Sequence, residues 1–142
     1  MNMNMSMMGP ILVQVALTLI VLLYMASRRL PALSKSRATP EQLKDRATYD
    51  NLPPAACYPS ENFKNLFEAP ILFFVMSFIT LVTGLGGDMM VTMAWIFVAT
   101  RVVHSFIHCT YNNVMHRFLA FILGVLVLLS MLVVLIMRFW MI

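Results

Sequence analysis

Charge is what this chain has least of. Only 11% of its 142 residues are charged, whereas a soluble domain of this size carries about a quarter. That excludes an ordinary soluble globular domain. The 61% hydrophobic content points instead to an integral membrane protein of a few spans in one domain. Acidic residues are scarcest, six against ten basic ones, for a formal charge of +4. No dense Lys/Arg run with interleaved aromatics occurs, which argues against a nucleic-acid partner. Cys57 and Cys109 lack CxxC spacing and fit no disulfide framework, so free thiols are expected. The Met-rich start, Met1 to Met8, has no Lys or Arg, and no small-x-small cleavage site precedes Arg28. The first hydrophobic run therefore reads as a retained span rather than a cleaved signal. There is no internal repeat.

What is present is a set of apolar runs long enough to cross a hydrocarbon core, which takes about 20 residues. The expected spans are about 10–27, 63–85, 89–111 and 115–137, with a single long connection from Arg28 to Asn62. Gly84, Gly86, Gly87 and Asp88 predict a tight turn between the second and third spans. In the long loop, Thr39-Pro40-Glu41-Gln42 reads as an N-cap, an N1 proline and a capping-box glutamine, predicting a short helix from Pro40 to about Tyr49. Pro53, Pro54 and Pro59 are then expected to keep the chain irregular, with Ser60 able to cap the second span. The fold class is an all-α integral membrane protein, a four-helix antiparallel bundle.

Charge also sets the expected orientation. Arg28, Arg29, Lys35, Arg37, Lys44, Arg46, Lys64 and Arg117 lie on the side of the long loop, and the other side holds only Arg138. The positive-inside rule then places the long loop in the cytoplasm and both termini on the opposite side.

Inside the third span stand Arg101, His104 and His108. Steps of three and four residues put them on one helical face over about 10 Å of axis. Ionisable groups in a span are costly and rarely face lipid, so this stripe faces protein or a wet cavity. Antiparallel topology brings Lys64, Asn65 and Glu68 at the start of the second span, and Arg117 at the start of the fourth, to the same membrane depth. A basic cluster, one carboxylate and imidazoles suit a small anionic molecule that also carries an amine.

These residues resemble a known family. Asn65-x-x-Glu68 with Pro70 just after looks like the Asn-x-x-Glu…Pro signature of the MAPEG superfamily (membrane-associated proteins in eicosanoid and glutathione metabolism). Arg101-Val-Val-His104-Ser-Phe-Ile-His108 followed by Arg117 resembles its Arg-x-x-His-x-x-x-Tyr…Arg stretch, and the segment from Asn62 to Pro70 is similar to the bacterial branch. The resemblance spans nearly the whole chain. It implies a homotrimer in the bilayer, which for the bacterial branch is the inner membrane, with glutathione as co-substrate between subunits near the cytoplasmic face. It also implies a transferase or peroxidase activity on lipophilic electrophiles or hydroperoxides. Residue by residue, Lys64 would bind a glutathione carboxylate, Asn65 would hydrogen-bond the tripeptide, and Glu68 would hold its ammonium. Arg101, His104 and His108 would line the pocket, and Arg117 would stabilise the thiolate, because a guanidinium favours the charged form of a nearby thiol. Three features depart from the pattern. His108 stands where many members have tyrosine, Pro70 follows Glu68 by only two residues, closer than in the mammalian eicosanoid enzymes, and Glu61 stands four residues before Asn65, where those enzymes often have arginine. Tyr111 and Asn113 are local candidates to supplement the set.

Other readings stay open at this level. Arg28, Arg29 and Lys35 also serve as membrane anchors. Asn65 and Glu68 can bond each other, and Arg101 can pair with Glu68 or Asp88. Pro70 fits a first turn or a kink. His116, next to the third connection, is expected to be solvated. The fold without glutathione chemistry, as a lipid-binding or scaffolding trimer, is the alternative function. A metal held by His104 and His108 at i, i+4 is disfavoured, because Arg101 and Arg117 would repel a cation. A channel lacks any filter-like segment.

Overall fold

The computed structural model describes residues 3–141; Met1 and Asn2 of the Met-rich start lie outside them. The described chain is helical, with no strand. Its α-helices are α1 (Met8–Ser36), α2 (Arg46–Asp50), α3 (Pro54–Asn65), α4 (Ala69–Thr83), α5 (Gly87–Cys109) and α6 (Val114–Trp140). Short 3-10 turns occupy Met5–Met7 and Gln42–Lys44. Four helical segments, Met5–Ser36, Pro54–Thr83, Gly87–Cys109 and Val114–Trp140, are long and apolar enough to cross a membrane. Large apolar side chains cover the outside: Leu23, Phe78, Phe106 and Leu126 are each more than half exposed, as expected of a surface that meets lipid.

The second span differs from the continuous helix expected over 63–85. It is broken into α3 and α4 at Leu66–Glu68. Pro70 explains the break: its missing N–H and its ring would clash with the Leu66 carbonyl, four residues back, if the helix ran through. Instead Pro70 sits in the first turn of α4, and Glu68 takes the N-cap position with φ −93° and ψ −89°. The helix also begins nine residues earlier than expected. Pro53 is extended (φ −53°, ψ 145°) and Pro54 opens α3 at its first turn, where a fixed φ is preorganised for a helix. Pro59 lies inside α3, so the region expected to be irregular is helical, at the cost of one backbone hydrogen bond. Ser60 is therefore mid-helix and caps nothing; it accepts a hydrogen bond from Arg29 Nη1 at 3.0 Å.

Loop one is shorter than expected for the same reason, and because α1 continues past Arg28 and Arg29 to Ser36. The capping box forms as read: Thr39 N–H donates to Gln42 Oε1 at 2.8 Å and Gln42 N–H to Thr39 Oγ1 at 3.3 Å. It starts only a 3-10 turn. Asp45 is extended and caps α2 through Ala47 N–H at 3.0 Å, which splits the single helix expected over 40–49. Arg29 lies 4.4 Å from the Tyr49 ring centroid, tying loop one to α1 and α3.

At the other end, Gly84, Gly86 and Gly87 all have positive φ (73°, 79° and 53°), a conformation that costs glycine nothing. Asp88 belongs to the first turn of α5 rather than to this turn. Near it lies the apolar core, built from Met7, Phe73, Met76, Met90, Ala94, Phe97 and Val98, with Leu128, Met131 and Leu135 of α6. Phe73 and Phe97 stack at 4.7 Å. Asn4 N–H donates to Leu81 O at 2.9 Å and pins the start of the described chain to α4.

Candidate functional site

The principal seam of the bundle lies between α5 and α6, and its end nearest loop one is polar. Arg101, His104 and His108 are 1%, 3% and 1% exposed, so the stripe faces protein along its whole length. Arg101 has no carboxylate partner among the described residues; neither Glu68 nor Asp88 reaches it. Its Nη2 donates instead to the α6 carbonyls of Ala120 (3.1 Å) and Phe121 (3.4 Å). The guanidinium carbon is 5.5 Å and 5.4 Å from the ring centroids of Phe97 and Phe121, a geometry in which aromatic faces stabilise a cation. Gly124 makes room for it: a Cβ there would lie 2.6 Å from Arg101 Nη2 and 2.9 Å from Thr100 Oγ1.

One turn toward loop one, His104 Nδ1–H donates to the Arg117 carbonyl at 3.1 Å. The Arg117 side chain folds back into the seam. Its Nη1 donates to His108 Nε2 at 3.0 Å and to Asn112 Oδ1 at 2.8 Å. Asn112 holds this position because it takes a left-handed φ of 44°, which asparagine tolerates better than most residues, while its N–H closes on Ile107 O at 2.8 Å. The rings of His104 and His108 meet edge to face at 5.7 Å. Three buried nitrogens in this set have no hydrogen-bond partner among the described residues: Arg101 Nε, His104 Nε2 and His108 Nδ1. Buried polar atoms are normally paired, so the seam fits an additional polar group.

Lys64, Asn65 and Glu68 stand apart from it. They flank the α3–α4 break, with Lys64 and Glu68 exposed and Asn65 half-buried. Among the described residues, neither Asn65 nor Glu68 makes a side-chain hydrogen bond, to the other or to a neighbour; Glu68 N–H donates to the Asn65 carbonyl at 3.3 Å. Lys64 lines a cleft of about 450 Å³ between loop one and α3, together with Arg29, Lys44, Arg46, Tyr49 and Glu61. A single chain thus assembles Arg101, His104, His108 and Arg117 but does not bring Glu68 to them. No three His, Cys, Asp or Glu side chains converge for a metal among the described residues.

Two residues that the spacing did not single out belong to the set. Glu61 Oε2 lies 3.4 Å from His108 Nε2, so two of the departures from the family pattern touch each other. Asn62, fully buried, accepts from Ser105 Oγ at 3.4 Å and donates to Cys109 Sγ at 3.5 Å. The signal for it was the buried period Ala56, Pro59, Asn62, Leu66, visible only once this stretch is known to be helix. Tyr111 and Asn113 do not join. Tyr111 Oη is 3.1 Å from His116 Nδ1, and Asn113 Oδ1 caps α6 by accepting from His116 N–H at 3.1 Å. His116 is exposed, as read.

Compared with known proteins, residues 7–137 match the profile of the MAPEG family. No curated protein and no solved structure matches the chain.

Proposed function

Because this chain belongs to the MAPEG family, we propose that it is a membrane-embedded, glutathione-dependent transferase or peroxidase acting on lipophilic electrophiles or hydroperoxides. The observation that carries this reading is the Arg117 guanidinium, held at 3.0 Å from His108 and 2.8 Å from Asn112 beside buried nitrogens that lack partners. Arg117 is the catalytic residue. Its guanidinium favours a thiolate over a thiol. Glutathione supplies the nucleophilic sulfur. Arg101, His104 and His108 line its pocket, and Lys64, Asn65 and Glu68 hold its carboxylate, peptide and ammonium groups.

The two clusters are separate in one chain, which supports a homotrimer in which the α3–α4 break of one subunit faces the α5–α6 seam of the next. The basic residues at one end support the positive-inside orientation: loop one in the cytoplasm and both termini opposite, in a bacterial inner membrane. Calorimetric titration of the detergent-solubilised protein with glutathione tests the reading. Saturable binding is expected, and no heat of binding at millimolar glutathione rejects it.

One observation favours a second reading, a lipid-binding or scaffolding protein of the same fold. An apolar groove of about 560 Å³ runs between α4 and α6, lined by Leu72, Met76, Leu128, Leu132, Ile136 and Phe139 among others. Native mass spectrometry showing a retained lipid, with no thiol turnover on a panel of electrophiles, would select it.

A further inference from the structure

The contact between Glu61 and His108 joins two compartments of the molecule. His108 is buried, 2% exposed at its side chain, whereas the Glu61 side chain is 57% exposed and lines the cleft beside loop one. Glu61 is the residue that belongs to both the cleft and the seam contacts. One ring nitrogen is shared. His108 Nε2 accepts from Arg117 Nη1 at 3.0 Å and faces Glu61 Oε2 at 3.4 Å. A lone pair at Nε2 suits the arginine; a proton at Nε2 suits the carboxylate.

The geometry points to a proton outlet: His108 Nε2 takes a proton from the buried seam and passes it to Glu61, which delivers it to water in the cleft. This rests on the thiol reading above, in which the proton is the one a bound thiol loses. The S–H bond breaks, the electron pair stays on sulfur beside Arg117, and the proton ends in bulk water. While His108 holds the proton at Nε2, Arg117 no longer has that lone pair as a partner and is free to turn its Nη1 toward the new anion. Once Glu61 has taken the proton, Nε2 is again an acceptor and the starting arrangement returns without a change of ring tautomer. Imidazole suits this task because a single ring nitrogen can accept a proton and give it up again, and general-base contacts commonly tighten from their resting length when a ligand is bound. The charged or titratable groups facing His108 are Glu61 from α3, Arg117 from α6 and His104 from its own helix. A phenol in place of this imidazole would not supply a basic ring nitrogen, so the glutamate and the histidine make sense together. Each alone would leave the path incomplete.

Two readouts test the outlet. The first uses the protein without any thiol: nitrogen NMR of the histidines across a pH series. Glu61→Gln is expected to displace the His108 titration curve and leave that of exposed His116 in place. The second mixes the protein with glutathione and follows proton release with an indicator dye, alongside thiolate absorbance. Glu61→Gln and His108→Gln are expected to slow proton release about tenfold or more, and Glu61→Asp to restore part of it. Equal release rates in wild type and Glu61→Gln, with thiolate formed in both, overturn the outlet while leaving the thiol reading intact. If wild type forms no thiolate, the thiol reading falls and the NMR series decides alone; a His108 curve unmoved by Glu61→Gln then overturns the contact as a proton path.

Discussion

Along α5, Met90, Ala94, Phe97 and Val98 bury one face of the helix in its first half, and Arg101, His104, Ser105 and His108 bury the continuation of that face in its second. The period is the same and the burial is the same; only the chemistry changes. In the first half, the buried side chains Met90, Ala94, Phe97 and Val98 are apolar, and the rings of Phe73 and Phe97 stack. In the second half, Arg101 donates hydrogen bonds to α6 carbonyls, and buried nitrogens on Arg101, His104 and His108 have no partner among the described residues. Within lipid there is little hydrophobic gain in bringing helices together, so packing and hydrogen bonds do that work. The apolar half meets this need by itself. The polar half adds a costly cluster that packing does not require, and such a cluster is where function is to be sought.

The largest way to sharpen this contrast is Arg117→Ala. Removing a charge-stabilising group from a reacting centre typically costs about 10²–10³ in rate. Turnover of a model electrophile with glutathione should fall by that factor while the helical content by circular dichroism stays unchanged. In the other half, Met90→Ala removes a fully buried side chain and should cost about 3 kcal/mol of stability. A lower thermal midpoint with unchanged glutathione affinity is the expected result; a loss of affinity instead would break the division between the halves.

Between them stands Gly124→Ala. Its Cβ would lie 2.6 Å from Arg101 Nη2, and overpacking of this kind costs about 2 kcal/mol. Because the clash is with the cation, both the thermal midpoint and glutathione affinity should drop together. The smallest effect is expected from Asn112→Gly, which keeps the left-handed backbone but deletes the 2.8 Å bond to Arg117. One hydrogen bond is worth about 1 kcal/mol, so turnover should fall by about fivefold with stability little altered.

Much of this contrast was legible in the sequence. The i, i+3, i+7 placement of Arg101, His104 and His108 predicted one buried face, because charge in a span rarely faces lipid. The Gly84–Gly87 turn was legible because positive φ favours glycine. The α3–α4 break was less so, although Pro70 carried it: an apolar run hides a break that depends on a clash with the carbonyl four residues back. The Glu61–His108 contact was not legible at all. It joins residues 47 apart, and only the helical course of α3, which Pro53, Pro54 and Pro59 disguised, aims Glu61 at α5. Besides lining a pocket, Arg101 had the open alternative of pairing with Glu68 or Asp88, because a buried cation suggests a carboxylate. Backbone carbonyls and aromatic faces meet its outer end instead, Nε stays unpaired among the described residues, and no linear pattern announces this.

The central claim is that the polar half of α5, with Arg117, holds a thiolate. Ultraviolet difference absorbance of glutathione titrated into the purified protein at neutral pH tests it most directly. A saturable thiolate band in wild type that disappears in Arg117→Ala is the predicted result. No band up to millimolar glutathione, or a band of equal size in Arg117→Ala, would contradict it.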